Sequence, residues 1–488
     1  MPVTQKLRPY QIEIGRAVLD SVLGSKGLTF SVEVARQGGK NELSAQLEVL
    51  LLTLFMRRGG YIVKCSPTFR PQTVTSMLRL KERLNDSGYA GHWRSEQGYI
   101  LRLGKAAAAF YSADGSAQVV GATAGIMLEV DEAQDVRIER YSKDFRPMAS
   151  STNATTVLYG TPWDDNTLLE QVKGTNLEME QRDGIRRHFR YDWHEVARHN
   201  PSYAQFVEAE REQLGESHPL FQTQYCLNLV KDGGGLFSRE QRTALQGGHH
   251  RLAGPSSLRP GPSRASGRRS GQAKDEVYVA GVDLAGEHTS GSDSMGVLQD
   301  EVLRRAAPRK DSTVVTIARL DYSNASPITG EPSIDIVEHY WWTGRPHTEV
   351  LGQLARLLKD VWGCRRIVID ATGVGAGVAS FLAKTLGSAT VTPFMFTAQS
   401  KSRLGFQFLA AVNSCRLRMY RGDGSAEWGE FWRQIERAKG VYRPNRTMNF
   451  FVEERDGHDD FLMSAALTVE AASTYAPRKA KGRTADVG

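Results

Sequence analysis

Apolar stretches alternate with amphipathic stretches along most of the 488-residue chain, and turn residues separate them. In the first half, short apolar runs predict β-strands, and two longer segments with helical spacing predict helices between them. The predicted strands are residues 28–35, 61–66, 126–132 and 155–162, and the predicted helices are residues 44–58 and 76–84. Strands that alternate with helices in this way indicate α/β layering around parallel strands.

The second half of the chain repeats this alternation. Its predicted strands are residues 276–286, 312–322, 334–342 and 365–373, and its predicted helices are residues 347–362 and 459–473. The sequence therefore predicts two α/β domains, residues 1–240 and 276–475, followed by a basic tail at residues 476–488.

The segment between the two domains, residues 241–275, is dense in Gly, Pro and Ser and nearly free of large apolar side chains. Such a segment cannot bury enough surface to offset its ordering entropy, so we expect a flexible basic linker, with a phosphate-contacting arm as the alternative. Seven basic residues against one acidic residue give it a charge of +6, and four against one give the tail +3. The whole chain carries +7, so the two domains together carry −2, and any DNA contact there must come from local patches.

The sequence predicts neither a membrane span nor secretion. The longest apolar stretch, residues 43–55, contains Gln46 and Glu48 and is shorter than a bilayer requires. The N-terminal residues MPVTQKLRPYQ lack the apolar core of a signal peptide. Four widely separated cysteines without zinc spacing indicate ordinary thiols in a reducing cytoplasm.

A glycine-rich turn follows the first predicted strand and precedes a helix. It comprises Arg36, Gln37, Gly38, Gly39, Lys40 and Asn41. Such a turn directs backbone N–H groups and the positive end of the helix dipole at phosphate oxygens, and a lysine after the glycines reaches the β- and γ-phosphates. Two positions depart from the GxxxxGK[ST] pattern: Val34 replaces the first glycine, and Asn41 replaces the hydroxyl that holds Mg²⁺, although an amide oxygen can also bind this ion. By itself, a GGK sequence before a helix is more often an ordinary turn.

Two adjacent carboxylates end the apolar strand at residues 126–130. We expect Asp131 to hold the magnesium shell of a nucleotide and Glu132 to polarise the attacking water, at the strand end where open α/β sheets bind ligands. The alternative is a solvated strand end or a helix cap. That alternative is weaker here because a GK turn precedes the pair.

Two further features fit a nucleotide site. Thr161, after the strand at residues 155–160, is either part of a simple β-turn or a hydroxyl near the γ-phosphate that reports hydrolysis to the rest of the domain. Near the N-terminus, Tyr10 offers a ring to stack on adenine, and Gln11 offers an amide to read its edge.

Aspartates mark strand and helix ends in the second half. Asp283 and Asp370 end apolar strands, Asp293 follows the first of these, and Asp459 and Asp460 begin the last helix. Such carboxylates can converge on a pair of divalent ions, which activate water and stabilise the leaving oxygen of a phosphodiester. Alternatively, Asp459 or Asp460 caps its helix, or the loop at residues 369–377 binds a second nucleotide, although no GxGxxG occurs in the required frame.

The motifs LRPYQ, VARQGGKNE, MLEVDEAQ and LYGTP, in this order, resemble the ATPase domain of tailed-bacteriophage terminase large subunits of the type found with HK97-class capsids. This resemblance implies a P-loop NTPase domain with a RecA/ASCE-like parallel sheet that uses ATP with Mg²⁺. In the family, an arginine placed as Arg36 is here, or one from a neighbouring subunit, neutralises charge on the γ-phosphate. Many relatives also carry an arginine just before the acidic strand, where this chain has Val-Val-Gly at residues 119–121, so Arg137, Arg140 and Arg146 remain equal candidates.

The aspartates of the second half resemble those of the RNase H-like nuclease domain of the same terminases. The resemblance implies that Asp283, Asp370 and Asp459 bind two divalent metals, Mg²⁺ or Mn²⁺, with Asp460 and Asp293 as helpers. The sequence does not decide which of Asp459 and Asp460 is the direct ligand.

Together the two resemblances imply ATP-driven translocation of double-stranded viral DNA into a procapsid and metal-dependent cleavage of concatemeric DNA. The expected partners are DNA, a portal protein, a small terminase subunit and further copies in a ring, a pentamer on the procapsid, in the host cytoplasm and without a membrane. The alternatives are a DNA translocase or helicase whose C-terminal domain only binds DNA, and an assembly scaffold with a degenerate nucleotide pocket.

Overall fold

The protein is described by a computed structural model in which the chain forms two compact units. The described residues are 6–114, 122–230, 234–255, 276–285, 312–323, 325, 328–345, 347–373, 375–443 and 445–475. The first unit comprises Met1–Arg211, Pro219–Asp232 and Pro444–Arg446, and the second comprises Glu212–His218, Gly233–Arg443 and Thr447–Gly488.

The first part of the chain forms an eight-stranded sheet with helices between the strands. Its elements are α1 (Pro9–Leu23), β1 (Thr29–Val34), α2 (Lys40–Phe55), β2 (Gly60–Ser66), α3 (Val74–Leu84), β3 (Trp93–Glu96), β4 (Ile100–Leu103), β5 (Ala106–Ser112), β6 (Met127–Val130), α4 (Ile138–Arg140), α5 (Arg146–Ser150), β7 (Thr155–Gly160), α6 (Leu168–Asp183), β8 (His188–Tyr191), α7 (Trp193–Arg198), α8 (Pro201–Leu214) and α9 (Pro219–Gln224). The four predicted strands and two predicted helices of this half are confirmed as β1, β2, β6, β7, α2 and α3.

The strand order of this sheet is β3-β4-β5-β2-β6-β7-β1-β8. The six neighbouring strands β5-β2-β6-β7-β1-β8 run parallel, and β3 and β4 add an antiparallel edge. Strands β1, β6 and β7 are almost wholly buried, as expected for parallel strands covered on both faces. Because β7 pairs with both β1 and β6, the carboxyl ends of these three strands lie side by side.

The remaining chain forms a second, six-stranded sheet and a separate hairpin. Its elements are α10 (Arg239–Ala244), β9 (Val277–Asp283), β10 (Ser312–Asp321), β11 (Ser333–Thr343), α11 (His347–Arg356), β12 (Arg366–Asp370), α12 (Gly375–Leu386), β13 (Val391–Phe394), α13 (Ala398–Asn413), β14 (Leu417–Met419), α14 (Ala426–Arg437), β15 (Lys439–Tyr442), β16 (Met448–Phe451) and α15 (Asp460–Thr474). The sheet order is β13-β12-β9-β10-β11-β14, and β15 pairs with β16.

This second sheet is mixed rather than parallel throughout. Strand β10 pairs antiparallel with both β9 and β11, whereas β12 runs parallel to β9 and β13. Apolar runs of similar length do not by themselves distinguish the two directions. The described residues between β10 and β11 contain no helix, and a parallel pair would need a longer crossover connection.

Helix α15 is the central element of the second core. Every residue from Asp460 to Ala472 is buried, in agreement with its apolar character on all sides. It packs directly on β9. A Cβ atom at Gly281 would come within 2.2 Å of the Ser464 carbonyl oxygen, so a larger residue would not fit between the two elements. Glycine at this position therefore sets the distance between the helix and the sheet.

Part of the segment expected to be a flexible linker is packed. Helix α10 reaches Ala244, Leu245 is fully buried in the second core, and Arg251 pairs with Glu338 and Glu427. The buried Leu245 and the ion pairs of Arg251 thus hold the first part of this segment against the second unit, although its composition predicted a flexible linker. Residues 256–275, the tail at 476–488 and Asp293 lie outside the described residues. No helix in the described part of the chain is long and apolar enough to cross a membrane.

Candidate functional site

A cavity of about 350 Å³ opens at the carboxyl ends of β1, β6 and β7 in the first unit. Its lining contains all six residues of the glycine-rich turn, together with Glu132 and Thr161. The complete lining is Arg36, Gln37, Gly38, Gly39, Lys40, Asn41, Gln72, Arg79, Glu132, Asp135, Thr161, Gln224 and Arg446. The structure therefore brings three separately predicted motifs to one cavity.

The glycine-rich turn has the geometry that its glycines allow. Gly39 precedes α2 in the left-handed region, with φ +93°. A Cβ atom at Gly38 would come within 2.5 Å of the Val34 side chain, and one at Gly39 would come within 2.6 Å of the Gln11 amide nitrogen. Since larger residues do not fit, the loop backbone can approach a ligand closely at the amino end of a helix, where N–H groups attract anions.

Tyr10 and Gln11 contact the glycine-rich turn rather than the cavity. The Tyr10 hydroxyl donates to the Gly38 carbonyl oxygen at 2.5 Å, and the Gln11 amide donates to the Gly39 carbonyl oxygen at 2.8 Å. Both residues are buried, and neither lines the cavity. Their polar atoms thus hold the turn from behind, which differs from the predicted contact with adenine. The sequence could not reveal this because it does not show where α1 packs.

The two carboxylates after β6 have different surroundings. Asp131 is buried, and burial raises its pKa against the opposing charge of Lys64. Glu132 faces the cavity with its carboxylate 3.8 Å from the Lys40 ammonium. Burial would raise the pKa of Glu132, but Lys40 and Arg446 outweigh burial and lower it. Glu132 is therefore an ionised carboxylate at neutral pH, as a general base must be.

The backbone at Glu132 is strained, with φ +47° and ψ +50°. A non-glycine residue in this left-handed region costs of order 1–3 kcal/mol, and such residues cluster at functional sites. The Glu132 side chain lines the cavity, and its strained backbone was not visible in the sequence.

Several cavity residues were missed by the sequence analysis. Arg446 Nη2 lies 3.2 Å from Asp135 and 3.7 Å from Glu132, and Gln224 accepts a hydrogen bond at 2.5 Å from Arg36, which was predicted. Gln72 and Arg79 also line the cavity. They follow none of the motifs, so no local signal marks them.

The three arginines considered for the γ-phosphate, Arg137, Arg140 and Arg146, do not line the cavity. Arg140 pairs instead with Asp144. Arg36, Arg79 and Arg446 are the arginines of the lining, and residues 119–121 lie outside the described residues.

A buried charge network lies behind the cavity. Lys64 Nζ is 3.1 Å from Glu48 and 3.9 Å from Glu129, and it donates to Ser44 Oγ at 2.6 Å. Burial strongly raises the pKa of Glu129. Burial opposes the charge of Lys64, but Glu48 and Glu129 outweigh it and raise the lysine pKa. The network connects α2, which follows the glycine-rich turn, with β6, which precedes Asp131 and Glu132.

In the second unit, the backbone brings the predicted aspartates to one end of the sheet. Strands β9 and β12 are parallel neighbours, and Val282 pairs with Ile369. The next residues are Asp283 and Asp370, so their backbones are about 5 Å apart, the distance between adjacent strands.

The direction of α15 adds Asp459 and Asp460 to the same end. Arg366, at the start of β12, donates to the carbonyl oxygen of Thr474, at the end of α15, at 3.1 Å. The helix therefore runs opposite to β12, and its first residues lie toward the carboxyl end of that strand.

The first turn of α15 is capped by a different residue. Gln434 Oε1 accepts the backbone N–H groups of Phe461 at 2.8 Å and Leu462 at 3.1 Å. Asp459 makes no side-chain capping hydrogen bond. The capping alternative for Asp459 is therefore not supported, and Gln434 is a residue that the sequence analysis missed.

The described side chains do not form a ready-made metal cage. Within the described ranges, no group of three or more His, Cys, Asp or Glu side chains has the spacing to hold a metal ion. The elements converge and the oxygen donors suit Mg²⁺ or Mn²⁺, but the metal-ligand roles of Asp283, Asp370, Asp459 and Asp460 stay predictions.

The arrangement defines a class of protein. The first unit has a P-loop NTPase fold. A glycine-rich turn begins a helix after β1, an acidic pair follows β6, and β7 lies between these two strands in a largely parallel sheet. The second unit, a mixed sheet with acidic strand ends covered by α15, has an RNase H-like nuclease fold. The predicted fold class is confirmed.

Comparison with solved structures relates this class to one kind of protein. The large terminase from a thermophilic bacteriophage (crystal form 2) is similar with a TM-score of 0.51 at 13% identity, over 96% of this chain and 99% of that chain. The HK97 bacteriophage large terminase matches over 96% of both chains at 15% identity, with a TM-score of 0.38. The large terminase nuclease from thermophilic phage G20c, with bound magnesium, matches 49% of this chain and 98% of its own at 16% identity, with a TM-score of 0.31.

The likeness to the first of these structures extends over nearly the whole chain, so the chain has the two-domain fold of a phage large terminase. No protein-family model matches the sequence, and no curated protein matches it.

Proposed function

We propose that the protein is a terminase large subunit that uses ATP to translocate double-stranded viral DNA into a procapsid and cleaves concatemeric DNA. The observation that carries the proposal is the cavity in which Lys40 of the glycine-rich turn lies 3.8 Å from Glu132. The fold of large terminases supports it. The proposed ATPase domain is residues 1–240, the nuclease domain is residues 276–475, and residues 241–275 connect them.

In the ATPase reaction, the backbone N–H groups at Gly39, Lys40 and Asn41 bind phosphate oxygens, and the Lys40 ammonium neutralises the β- and γ-phosphates. Glu132 accepts a proton from the water whose oxygen attacks the γ-phosphorus, and ADP leaves with the electron pair of the broken P–O bond. Asp131 and Asn41 would hold Mg²⁺ through oxygen ligands, which this ion prefers, and the ion would neutralise phosphate charge.

In the cleavage reaction, Asp283, Asp370 and Asp459, helped by Asp460 and Asp293, would bind two divalent metals that activate water for attack on a phosphodiester. The proposed partners are double-stranded DNA, a portal protein, a small terminase subunit and further copies in a pentameric ring, in the host cytoplasm. DNA affinity should fall steeply with salt and show little sequence preference, because phosphate contacts dominate such binding.

Two substitutions test the two activities separately. Glu132→Ala should bind ATP but lose hydrolysis, whereas Glu178→Ala, at an exposed position on α6, should match the wild type. Undiminished hydrolysis by Glu132→Ala would show that the base lies elsewhere.

For the nuclease, plasmid cleavage is measured with Mn²⁺ or Mg²⁺ and without ATP. Asp370→Ala should abolish cutting, and Asp360→Ala, at an exposed position, should not. Equal cutting by wild type and Asp370→Ala would remove the catalytic assignment.

A second candidate function is a DNA translocase or helicase whose second domain only binds DNA. The observation in its favour is that the described acidic side chains form no three-ligand metal group. DNA-stimulated ATP hydrolysis together with metal-independent DNA binding and no cleavage by the wild type would favour this function.

A further inference from the structure

Gln134 connects two parts of the candidate ATPase site that lie on different strand ends. Its amide nitrogen donates to Glu132 Oε2 at 2.6 Å and to Asp135 Oδ2 at 3.2 Å, and its amide oxygen accepts the backbone N–H of Thr161 at 3.1 Å. The side chain is 4% exposed and does not line the cavity. Gln134 therefore links Glu132, two residues after β6, to Thr161, the residue after β7, without lining the cavity.

The chemistry of the partners fixes the orientation of this amide. An ionised carboxylate only accepts hydrogen bonds, and a backbone N–H only donates. Rotating the Gln134 amide by 180° would place its oxygen against Glu132 and its NH₂ group against the Thr161 N–H, and both contacts would be repulsive. The donor and the acceptor of one side chain are thus matched to two different segments.

Gly160 makes room for this connection. A Cβ atom at Gly160 would come within 2.1 Å of Gln134 Oε1 and 2.7 Å of a Leu169 methyl carbon. Gly160 does not have a positive φ angle, so space rather than backbone conformation requires glycine there. The glycine of the LYGTP sequence, Gly160, is therefore required by its contact with Gln134 of the DEAQ sequence.

We propose that Gln134 is a positioning residue that holds the Glu132 carboxylate for attack on ATP and joins it to the turn at Thr161. This role rests on the ATPase function proposed above. Because one rigid amide makes both bonds, a displacement of Glu132 or of Thr161 must displace the other or break the connection. The backbone at Glu132 lies in the left-handed region, so surrounding contacts must offset the cost of that conformation.

Steady-state ATP hydrolysis by the full-length chain tests this role. Gln134→Met keeps the length of the side chain but removes both hydrogen bonds, so kcat should fall by roughly 10- to 100-fold, a part of what a general base contributes. The KM for ATP should stay within about threefold, because Gln134 does not touch the nucleotide space. Gln171→Met, at an exposed position on α6, is the matched control and should leave both constants unchanged.

Gly160→Ala tests the same connection from the other side. It should lower kcat in the same way, because the added methyl group displaces the Gln134 amide. The double variant Gln134→Met/Gly160→Ala should be no slower than the slower single variant by more than about twofold, since both changes break one connection. A merely structural role would not give this non-additive loss confined to kcat.

The outcomes separate this role from the function on which it rests. Undiminished kcat in Gln134→Met, or multiplicative losses in the double variant, with normal hydrolysis by the wild type, would overturn the positioning role alone. No hydrolysis by the wild type would overturn the ATPase function and this role with it. Should Gln134→Met not fold, Gln134→Glu keeps the acceptor for Thr161 and lacks the donor for Glu132, and wild-type kcat in that variant would equally overturn the role.

Discussion

The two candidate sites of this protein are built in different ways. The candidate nucleotide cavity takes six consecutive residues, 36–41, from one turn, and the conformation of that turn depends on two adjacent glycines. The acidic end of the second sheet takes Asp283, Asp370 and the start of α15 from three elements separated by long stretches of chain. A site made by one loop is fixed locally, whereas a site made by three elements depends on how they pack.

The two sites also differ in how completely the described residues form them. Around Glu132, the cations Lys40 and Arg446 and the amide of Gln134 are already within interaction distance. At the acidic end, the backbones converge, but the described side chains form no three-ligand group. The turn therefore specifies its own backbone and the charge of Lys40, whereas Glu132 and Arg446 reach the cavity from other segments.

The largest expected effect concerns the buried charge network behind the candidate nucleotide cavity. Lys64→Met removes the cation between Glu48 and Glu129, so the free energy of unfolding should fall by about 3–5 kcal/mol, as when one partner of a buried ion pair is removed. Denaturant unfolding measures this loss, and Lys26→Met, outside the network, is the control. A loss below about 1 kcal/mol would mean that the two glutamates already share a proton and need no lysine.

A smaller effect is expected where α15 lies on β9. Gly281→Ala places a methyl group against the Ser464 carbonyl oxygen and should reduce the free energy of unfolding by about 1–3 kcal/mol, the usual range for overpacking. DNA cleavage should fall while ATP hydrolysis stays near the wild-type rate. The control is Gly352→Ala in α11, where a Cβ atom has open space. Equal loss of both activities would show that the effect of this packing is not confined to the acidic end of the second sheet.

The smallest effect near neutral pH is a pH dependence of the second core. Burial lowers the pKa of His339 to about 3, and its Nδ1 lies 3.0 Å from Thr316 Oγ1. Below the ordinary histidine pKa of about 6.5, His339 becomes protonated in the unfolded chain but stays neutral in the folded protein. Stability should therefore fall by about 1.4 kcal/mol per pH unit as the pH drops from about 6.5 toward 3.

The difference between wild type and His339→Gln isolates this contribution. Between about pH 6.5 and 5, the free energy of unfolding of the variant should fall less steeply with decreasing pH than that of the wild type, by about 1.4 kcal/mol per pH unit. Urea unfolding at each pH measures this difference. Parallel pH profiles for the two proteins would show that His339 is not the group responsible.

Sequence alone was sufficient wherever the chemistry is local. The turn at residues 36–41, the acidic pair at Asp131 and Glu132, and the aspartates at strand ends were all readable, because glycine conformation, apolar runs and helix starts depend on neighbouring residues. The order of strands in the first sheet then placed Thr161 at the same cavity. The antiparallel pairing of β10 was not readable, because strand direction depends on partners far along the chain.

What only the tertiary structure decided are the contacts between distant segments. Three such contacts follow no sequence pattern. They are the hydrogen bonds of Tyr10 and Gln11 to the turn, the hydrogen bond between Gln134 and Thr161, and the cap of α15 by Gln434. Each depends on which strand or helix becomes the neighbour of which, and that choice is made by burial of whole apolar faces rather than by any single residue. The chain's own pattern therefore determined which chemical groups the protein carries, and packing determined which of them meet.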